Sequence, residues 1–320
     1  MSGEIEQVFH HCRAVVRTEH GYYPARFTEK QLAFYKGLGE RFETRSLCTA
    51  GVTMEFTTSA KEISFCYHAE HFARPYVAFD IYENDILRAA VRQPDGSETG
   101  TVRYQLAGEG SKICVYLPNL CKTSISDLNL GNFSPCLTKG KQKLLFLGDS
   151  ITQGMVAQSP SMAYPSQLSR ILEADILNCG VGAERFRKGN LDEALRGWPD
   201  KVFVAYGTND STQIDSLEEI GQNIAEYFAE LRRIFPEEPV TVITPTWRIE
   251  AAEDAHYAEK LDAIRGMIGK EAEKRRCRLV DGSRLVPHLP EYFADGYLHP
   301  NDLGFSQYVL NYFMQENYHG

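Results

Sequence analysis

Four short stretches carry side chains that could do chemistry, and all four lie at or beyond residue 144. The first is Leu144-Leu-Phe-Leu-Gly-Asp-Ser-Ile-Thr-Gln-Gly154, in which Ser150 follows four apolar residues and a glycine. A serine there is either a nucleophile or a helix N-cap, since Asp and Ser both favour the cap position. The second is the loop Asn178-Cys-Gly-Val-Gly-Ala183, a source of backbone N–H donors. The third is Gly207-Thr-Asn-Asp210, which offers a neutral side-chain amide at Asn209. The fourth is Asp295-Gly-Tyr-Leu-His-Pro-Asn-Asp302, with His299 four residues after a carboxylate. A hydroxyl, backbone donors, an amide and an imidazole are the parts that acyl transfer requires.

These stretches must be brought together by the elements around them. From Leu144 onward the pattern alternates apolar runs and amphipathic segments. Strands are expected at residues 144–147, 175–179, 201–206, 240–244 and 279–281. Helices are expected at 161–172, 216–235, 255–274 and 303–314. The helix at 216–235 has Leu217, Ile220, Ile224, Tyr227, Phe228, Leu231 and Ile234 at three- and four-residue spacing. Repeated strand–helix units imply a parallel sheet covered on both faces. In such a sheet the residues just after the strand ends gather on one edge, and the four stretches sit there or just before the closing helix. That convergence favours Ser150 as nucleophile over Ser150 as cap alone.

Taken in order, Gly148-Asp149-Ser150, the 178–183 loop, Gly207-x-Asn209-Asp210 and His299-Pro300-Asn301 resemble the blocks of the SGNH (GDSL-type) hydrolase family. The resemblance covers about residues 140–320, and four blocks in order are far more specific than any one. It implies a three-layer α/β/α, flavodoxin-like domain and a serine esterase mechanism without cofactor or metal. Ser150 would attack an ester carbonyl, and His299 would take its proton and later return it to the leaving alcohol. The oxyanion would be held by the Ser150 N–H, a loop N–H and the Asn209 amide. The family usually has glycine at the loop position occupied here by Ala183, so either Ala183 or Gly182 is the donor. The family's acid usually lies three residues before the histidine. Here Asp295 lies four before it, so either Asp295 orients His299 after a small bulge or a backbone carbonyl completes a Ser–His dyad.

Residues 1–137 read as all-β. Strands are expected at 52–56, 63–67, 76–82, 113–117 and 125–130, with a turn at Pro94-Asp-Gly-Ser, and little helical periodicity. Pro, Gly and Lys cluster at residues 134–142, which puts a domain boundary at about 138. Short strands with turns between them suggest a jelly-roll sandwich. That layout resembles SGNH carbohydrate esterases of family 2, which implies removal of small acyl groups, acetyl above all, from a carbohydrate. The same site could transfer the acyl group to an alcohol. A carbohydrate-binding protein with a decayed hydrolase domain is the rival from another class, and intact Ser150, Asn209 and His299 speak against it.

The formal net charge of −9 argues against nucleic acid or an anionic membrane surface as partner. Residues 1–7 lack a signal pattern and no apolar run is long enough to span a bilayer, so a cytoplasmic protein is expected. Self-association is left open. The eight cysteines form no Cys-x-x-Cys pair and are expected as free thiols. Asp149 and Asp210 are read as capping or loop-bracing carboxylates, and His10, His11, His68, His71, His256 and His288 as non-ligands. Trp247, at a strand end on the active edge, is either a sugar-stacking wall of the pocket or packing under a loop. Trp198 is read as core.

Overall fold

The computed structural model describes residues 5–93, 95–108, 110–138 and 140–317. Pro94, on which the expected turn begins, lies outside them, as do Lys139 of the 134–142 cluster and the first four residues. The first half carries β1 (Phe9–His10), β2 (Ala14–Thr18), β3 (Gly21–Ala25), β4 (Thr53–Thr58) and β5 (Glu62–Glu70). It continues with β6 (Val77–Glu83), β7 (Ile86–Gln93), β8 (Thr99–Gln105), β9 (Ser111–Tyr116), β10 (Lys122–Asn129) and β11 (Phe133–Pro135). They form two antiparallel sheets. One runs β1-β4-β9-β6-β7, with β11 paired to β4, and the other runs β2-β3-β10-β5-β8. Alternating inward residues fill the space between them, among them Met54 and Phe56 of β4, Ile63 and Phe65 of β5, and Phe79 and Ile81 of β6.

β6 is buried on both faces. Its outward face meets the second half of the chain: Asp80 accepts from the Ser161 N–H at 3.0 Å and pairs with Arg92, and Tyr82 Oη meets Ser161 Oγ at 3.2 Å. The sandwich is therefore docked, not tethered.

The second half holds β12 (Lys143–Gly148), β13 (Asp175–Gly180), β14 (Lys201–Ala205), β15 (Val240–Ile243) and β16 (Arg278–Val280). They pair in parallel in the order β13-β12-β14-β15-β16. From Leu144 to Leu147 β12 is apolar because both its faces are covered. Leu145 and Leu147 join Val202 and Val204 beneath the helices Leu217–Ile234 and Ala255–Lys274. Leu144 and Phe146 face the other layer, where Phe146 stacks on Phe203 at 4.6 Å and abuts Tyr164. The strand order reverses direction at β12, so its carboxyl end opens into a crevice between diverging crossovers.

Two expectations need correction. The helix expected over 161–172 is a 3-10 turn at Pro160–Met162 followed by a helix at Tyr164–Ile171. Pro165 lacks an N–H and so fits the first turn of a helix but not its interior, and Ala163 is the non-helical cap that separates the two pieces. The first half is also not all-β: helices span Glu29–Gly37 and Glu40–Leu47. The first is started by a capping box of Thr28 and Gln31. The second buries Arg45 and Ser46 rather than an apolar stripe, so hydrophobic periodicity could not reveal it. Both helices leave the sandwich and lie against the parallel-sheet half, with Phe27 and Tyr35 inside its core.

Arg26 fixes that crossing. It is fully buried, and its guanidinium donates to the carbonyls of Cys48 (2.5 Å), Arg45 (3.0 Å), Asn178 (2.5 Å) and Gly180 (3.1 Å). Four carbonyls from both halves replace the water this charge gave up. Arg26→Met is expected to lower unfolding free energy by on the order of 3 kcal/mol, since several buried acceptors lose their donor at once. Arg26→Lys is not expected to recover it, because an ammonium cannot reproduce the fork. Urea unfolding of both variants checks this, and a midpoint equal to wild type contradicts it.

Candidate active site

β12 ends at Gly148, and a Cβ there would sit 2.0 Å from Thr152 Oγ1 and 3.0 Å from the Ala205 carbonyl. Only glycine lets the chain turn this tightly from the strand into the short helix Ser150–Gln153. Asp149 caps that helix, its Oδ1 accepting from the Ile151 N–H at 2.9 Å. The cap is thus Asp149, which leaves Ser150 as the first helical residue with its hydroxyl available.

That hydroxyl meets the far end of the chain. His299 Nε2 lies 2.9 Å from Ser150 Oγ, and His299 Nδ1 lies 2.5 Å from Asp295 Oδ2. The extra residue between acid and histidine is absorbed by Gly296, at φ +78°. The resulting tight loop wraps the carboxylate: Asp295 Oδ1 accepts from the backbone N–H groups of Tyr297 (3.1 Å), Leu298 (2.9 Å) and His299 (3.0 Å). Burial alone would raise the Asp295 pKa. The His299 contact and these N–H donors outweigh it and hold the carboxyl well below its ordinary range. The side-chain geometry is that of a Ser–His–Asp triad, not a dyad closed by a backbone carbonyl.

The N–H groups of Gly182 and Ala183 differ in their partners. The Gly182 N–H is taken by Gln153 Oε1 at 2.8 Å. Among the described residues the N–H groups of Ala183 and Ser150 have no acceptor. Ala183 sits at φ +70°, a left-handed conformation that glycine adopts without strain and an alanine adopts at a cost. Asn209 is half-buried; its Nδ2 donates to the Glu184 carbonyl at 3.0 Å, which anchors one amide hydrogen and leaves the other. Glu184 is itself buried and held by Arg187 at 2.5 Å.

Gln153 and Arg45 were not foreseen as part of this site. Gln153 is three residues from Ser150 and so shares its helix face, a signal that was available. Arg45 was not legible: its Nη1 donates to the Gly182 carbonyl at 2.8 Å across 137 residues of sequence. Trp247 is half-buried, stacked on His288 (ring centroids 5.2 Å apart) and tilted against Phe293 at 5.3 Å. It packs beside the segment that carries the acid, and its neighbour Ile249 donates to the Tyr297 carbonyl at 3.1 Å. Trp198 packs against the core as expected.

The other polar residues sort by environment. Asp210 Oδ1 accepts from the Phe186 N–H at 3.3 Å and braces the loop. His68 stacks on His20, and His10 and His11 are buried near Glu55. Among the described residues no group of three or more His, Cys, Asp or Glu is arranged to hold a metal ion. No helix among them is long and apolar enough to cross a membrane. All eight cysteines are free.

With this geometry in hand, the kinship is direct. The profile of the GDSL-like lipase/acylhydrolase family matches residues 146–306, and the chain belongs to that family. No curated protein sequence matches significantly. Solved structures share the fold along most of the chain. A salicylyl-acyltransferase, SsfX3, from a tetracycline biosynthetic pathway is 18% identical with a TM-score of 0.80, covering 97% of this chain and 93% of its own. A family two carbohydrate esterase from Clostridium thermocellum is 15% identical with a TM-score of 0.63, covering 82% and 90%. An acetyl xylan esterase, Est2A, from the rumen bacterium Butyrivibrio proteoclasticus is 14% identical with a TM-score of 0.55, covering 83% and 90%.

Burial gives Asp149 the opposite fate to Asp295. Desolvation, with the Asp210 charge adding to it, pushes Asp149 up to about 7. The unfolded carboxyl titrates near 4. Between these values the folded chain keeps a proton that the unfolded chain releases, so this group lowers stability as pH rises from about 4 to about 7 and no further above that. Asp149→Asn keeps the oxygen that caps Ile151 and removes the charge. Its urea midpoint is expected to fall less than that of wild type between about pH 5 and about pH 8. An equal fall contradicts the assignment.

Proposed function

We propose that the chain is a serine esterase that removes small acyl groups, acetyl foremost, from carbohydrate esters. The observation that carries this reading is the line Ser150 Oγ, His299 Nε2, His299 Nδ1, Asp295 Oδ2 at hydrogen-bond distances, beside two backbone N–H groups with no acceptor among the described residues. Ser150 Oγ attacks the ester carbonyl as His299 takes its proton. The tetrahedral oxyanion is received by the N–H groups of Ser150 and Ala183 and by the Asn209 amide. Collapse expels the alcohol, to which His299 returns the proton, leaving acyl-Ser150. Water, deprotonated by His299, then releases the acid. Asp295, held ionised, fixes the imidazole tautomer and stabilises the imidazolium.

Support for a carbohydrate substrate comes from the layout, two antiparallel sheets read as a jelly-roll sandwich ahead of the hydrolase fold, which family two carbohydrate esterases share. The acyltransferase aligned along 97% of the chain supports a second reading, in which a sugar or other alcohol replaces water in the last step. Both readings pass through the same acyl-Ser150. We place the protein in the cytoplasm, without nucleic-acid or membrane partners.

Hydrolysis of p-nitrophenyl acetate tests the class. Wild type is expected to exceed Ser150→Ala by orders of magnitude, and Asn209→Ala to lose roughly 10²–10³ in kcat. A wild type no faster than Ser150→Ala removes the esterase reading. Mass spectrometry of acetylated xylan and mannan oligomers, with and without an added alcohol, then tests the rest. Loss of acetyl mass from the oligomers with none gained by the added alcohol supports hydrolysis, its appearance on the added alcohol supports transfer, and oligomers that keep all their acetyl mass remove the carbohydrate assignment.

A further inference from the structure

The loop at residues 178–183 is gripped by an arginine from the first half of the chain. The peptide joining Gly182 to Ala183 carries both the carbonyl that accepts from Arg45 and an N–H that has no acceptor among the described residues. In a trans peptide these two groups point in opposite directions. Whatever fixes the carbonyl therefore fixes the aim of the N–H. Arg45 fixes it from the helix Glu40–Leu47, which belongs to the sandwich half of the chain.

Three further observations bear on this contact. Arg45 is 7% exposed, and a Cβ on Gly182 would lie 3.1 Å from Arg45 Cδ and 2.7 Å from Met155 Cε, so the arginine stem lies directly over this peptide. Its own backbone is tied to the same loop, because Arg26 donates both to the Arg45 carbonyl and to the carbonyls of Asn178 and Gly180. Among the described residues no carboxylate pairs with Arg45; its charged neighbours are Arg41 and Arg74. The positive charge is thus directed onto a carbonyl and not spent on an acid. A cation on the carbonyl end of a peptide draws electron density toward it and makes the N–H at the other end a stronger donor.

We propose that Arg45 is a positioning residue for the oxyanion hole: it aims and polarises the Ala183 N–H through the Gly182–Ala183 peptide. The sandwich half then supplies a working part of the catalytic apparatus without touching the substrate. The strain of Ala183 at φ +70° fits this account, since a residue disfavoured in that conformation needs an outside hold. Gln153 supplies the second hold, on the preceding N–H. The inference rests on Ser150 being the nucleophile.

The test uses the full chain and compares Arg45→Met, which keeps the packing stem, with Arg45→Lys, which keeps a donor on a shorter, unforked arm. Each is measured by p-nitrophenyl acetate kinetics and by thermal melting. Because the contact acts only as the oxyanion forms, the loss is expected in kcat and not in KM. Arg45→Met is expected to lose about tenfold to a hundredfold in kcat, less than removal of a donor itself, with KM within about twofold. Arg45→Lys is expected to fall between Arg45→Met and wild type. A folded Arg45→Met with wild-type kcat, or with its loss confined to KM, overturns the proposal. If Arg45→Met does not fold, Arg45→Lys decides: reduced kcat at unchanged KM supports the proposal, and wild-type kcat overturns it. A wild type no faster than Ser150→Ala overturns this inference together with the esterase reading, whereas Ser150-dependent activity indifferent to Arg45 overturns this inference alone.

Discussion

The buried Arg26 guanidinium, surrounded by four main-chain carbonyls and, among the described residues, paired with no carboxylate, is the contact on which the arrangement of this protein turns. A charge removed from water must be matched by oriented dipoles, and the carbonyls that match this one come from the helix end at 45–48 and from the end of β13. Satisfying Arg26 therefore brings a sandwich-half helix against the loop of residues 178–183. Once that helix is seated, Phe27 and Tyr35 fill the hydrolase core and Arg45 reaches Gly182. A β-sandwich and a parallel sheet could each exist apart, but the loop that presents the Ala183 N–H is shaped by both.

The site separates its carboxylates by environment. Asp295 is wrapped by three N–H groups and a histidine, and stays ionised despite partial burial. Asp149 and Asp210, the immediate chain neighbours of Ser150 and Asn209, are driven upward by desolvation, to about 7 and about 6. The same side chain is thus held toward its ionised form beside His299 and acts as a cap or brace beside Ser150 and Asn209. This division, and not the count of acidic residues, assigns Asp295 the partnership with His299.

Much of the site was legible because buried parallel strands announce themselves and their ends are where chemistry gathers. The run Leu144 to Leu147 placed Ser150, and the shorter runs placed Asn178, Asn209 and the closing helix after His299. What was not legible depended on local geometry or on distant contacts. The four-residue spacing of Asp295 and His299 became intelligible only with Gly296 at positive φ. The sequence does not distinguish the N–H groups of Gly182 and Ala183, whereas in the fold Gln153 occupies the first. The helix Glu40–Leu47 buries an arginine and a serine, so no apolar stripe marked it, and Arg45 gave no sign of a partner 137 residues away. Charged and polar contacts carry no periodicity, which is why the coupling between the halves was invisible while each half's core was not.

The central claim is that His299, held by Asp295, activates Ser150 as a nucleophile. Labelling with a fluorophosphonate followed by peptide mapping reads this directly, because the reagent bonds only to an activated hydroxyl and captures the tetrahedral geometry of the reaction. The account predicts one label, on Ser150, in wild type, and its loss in a folded His299→Ala variant. A wild type left unlabelled at Ser150, or a Ser150 labelled as fast without His299 as with it, contradicts the account.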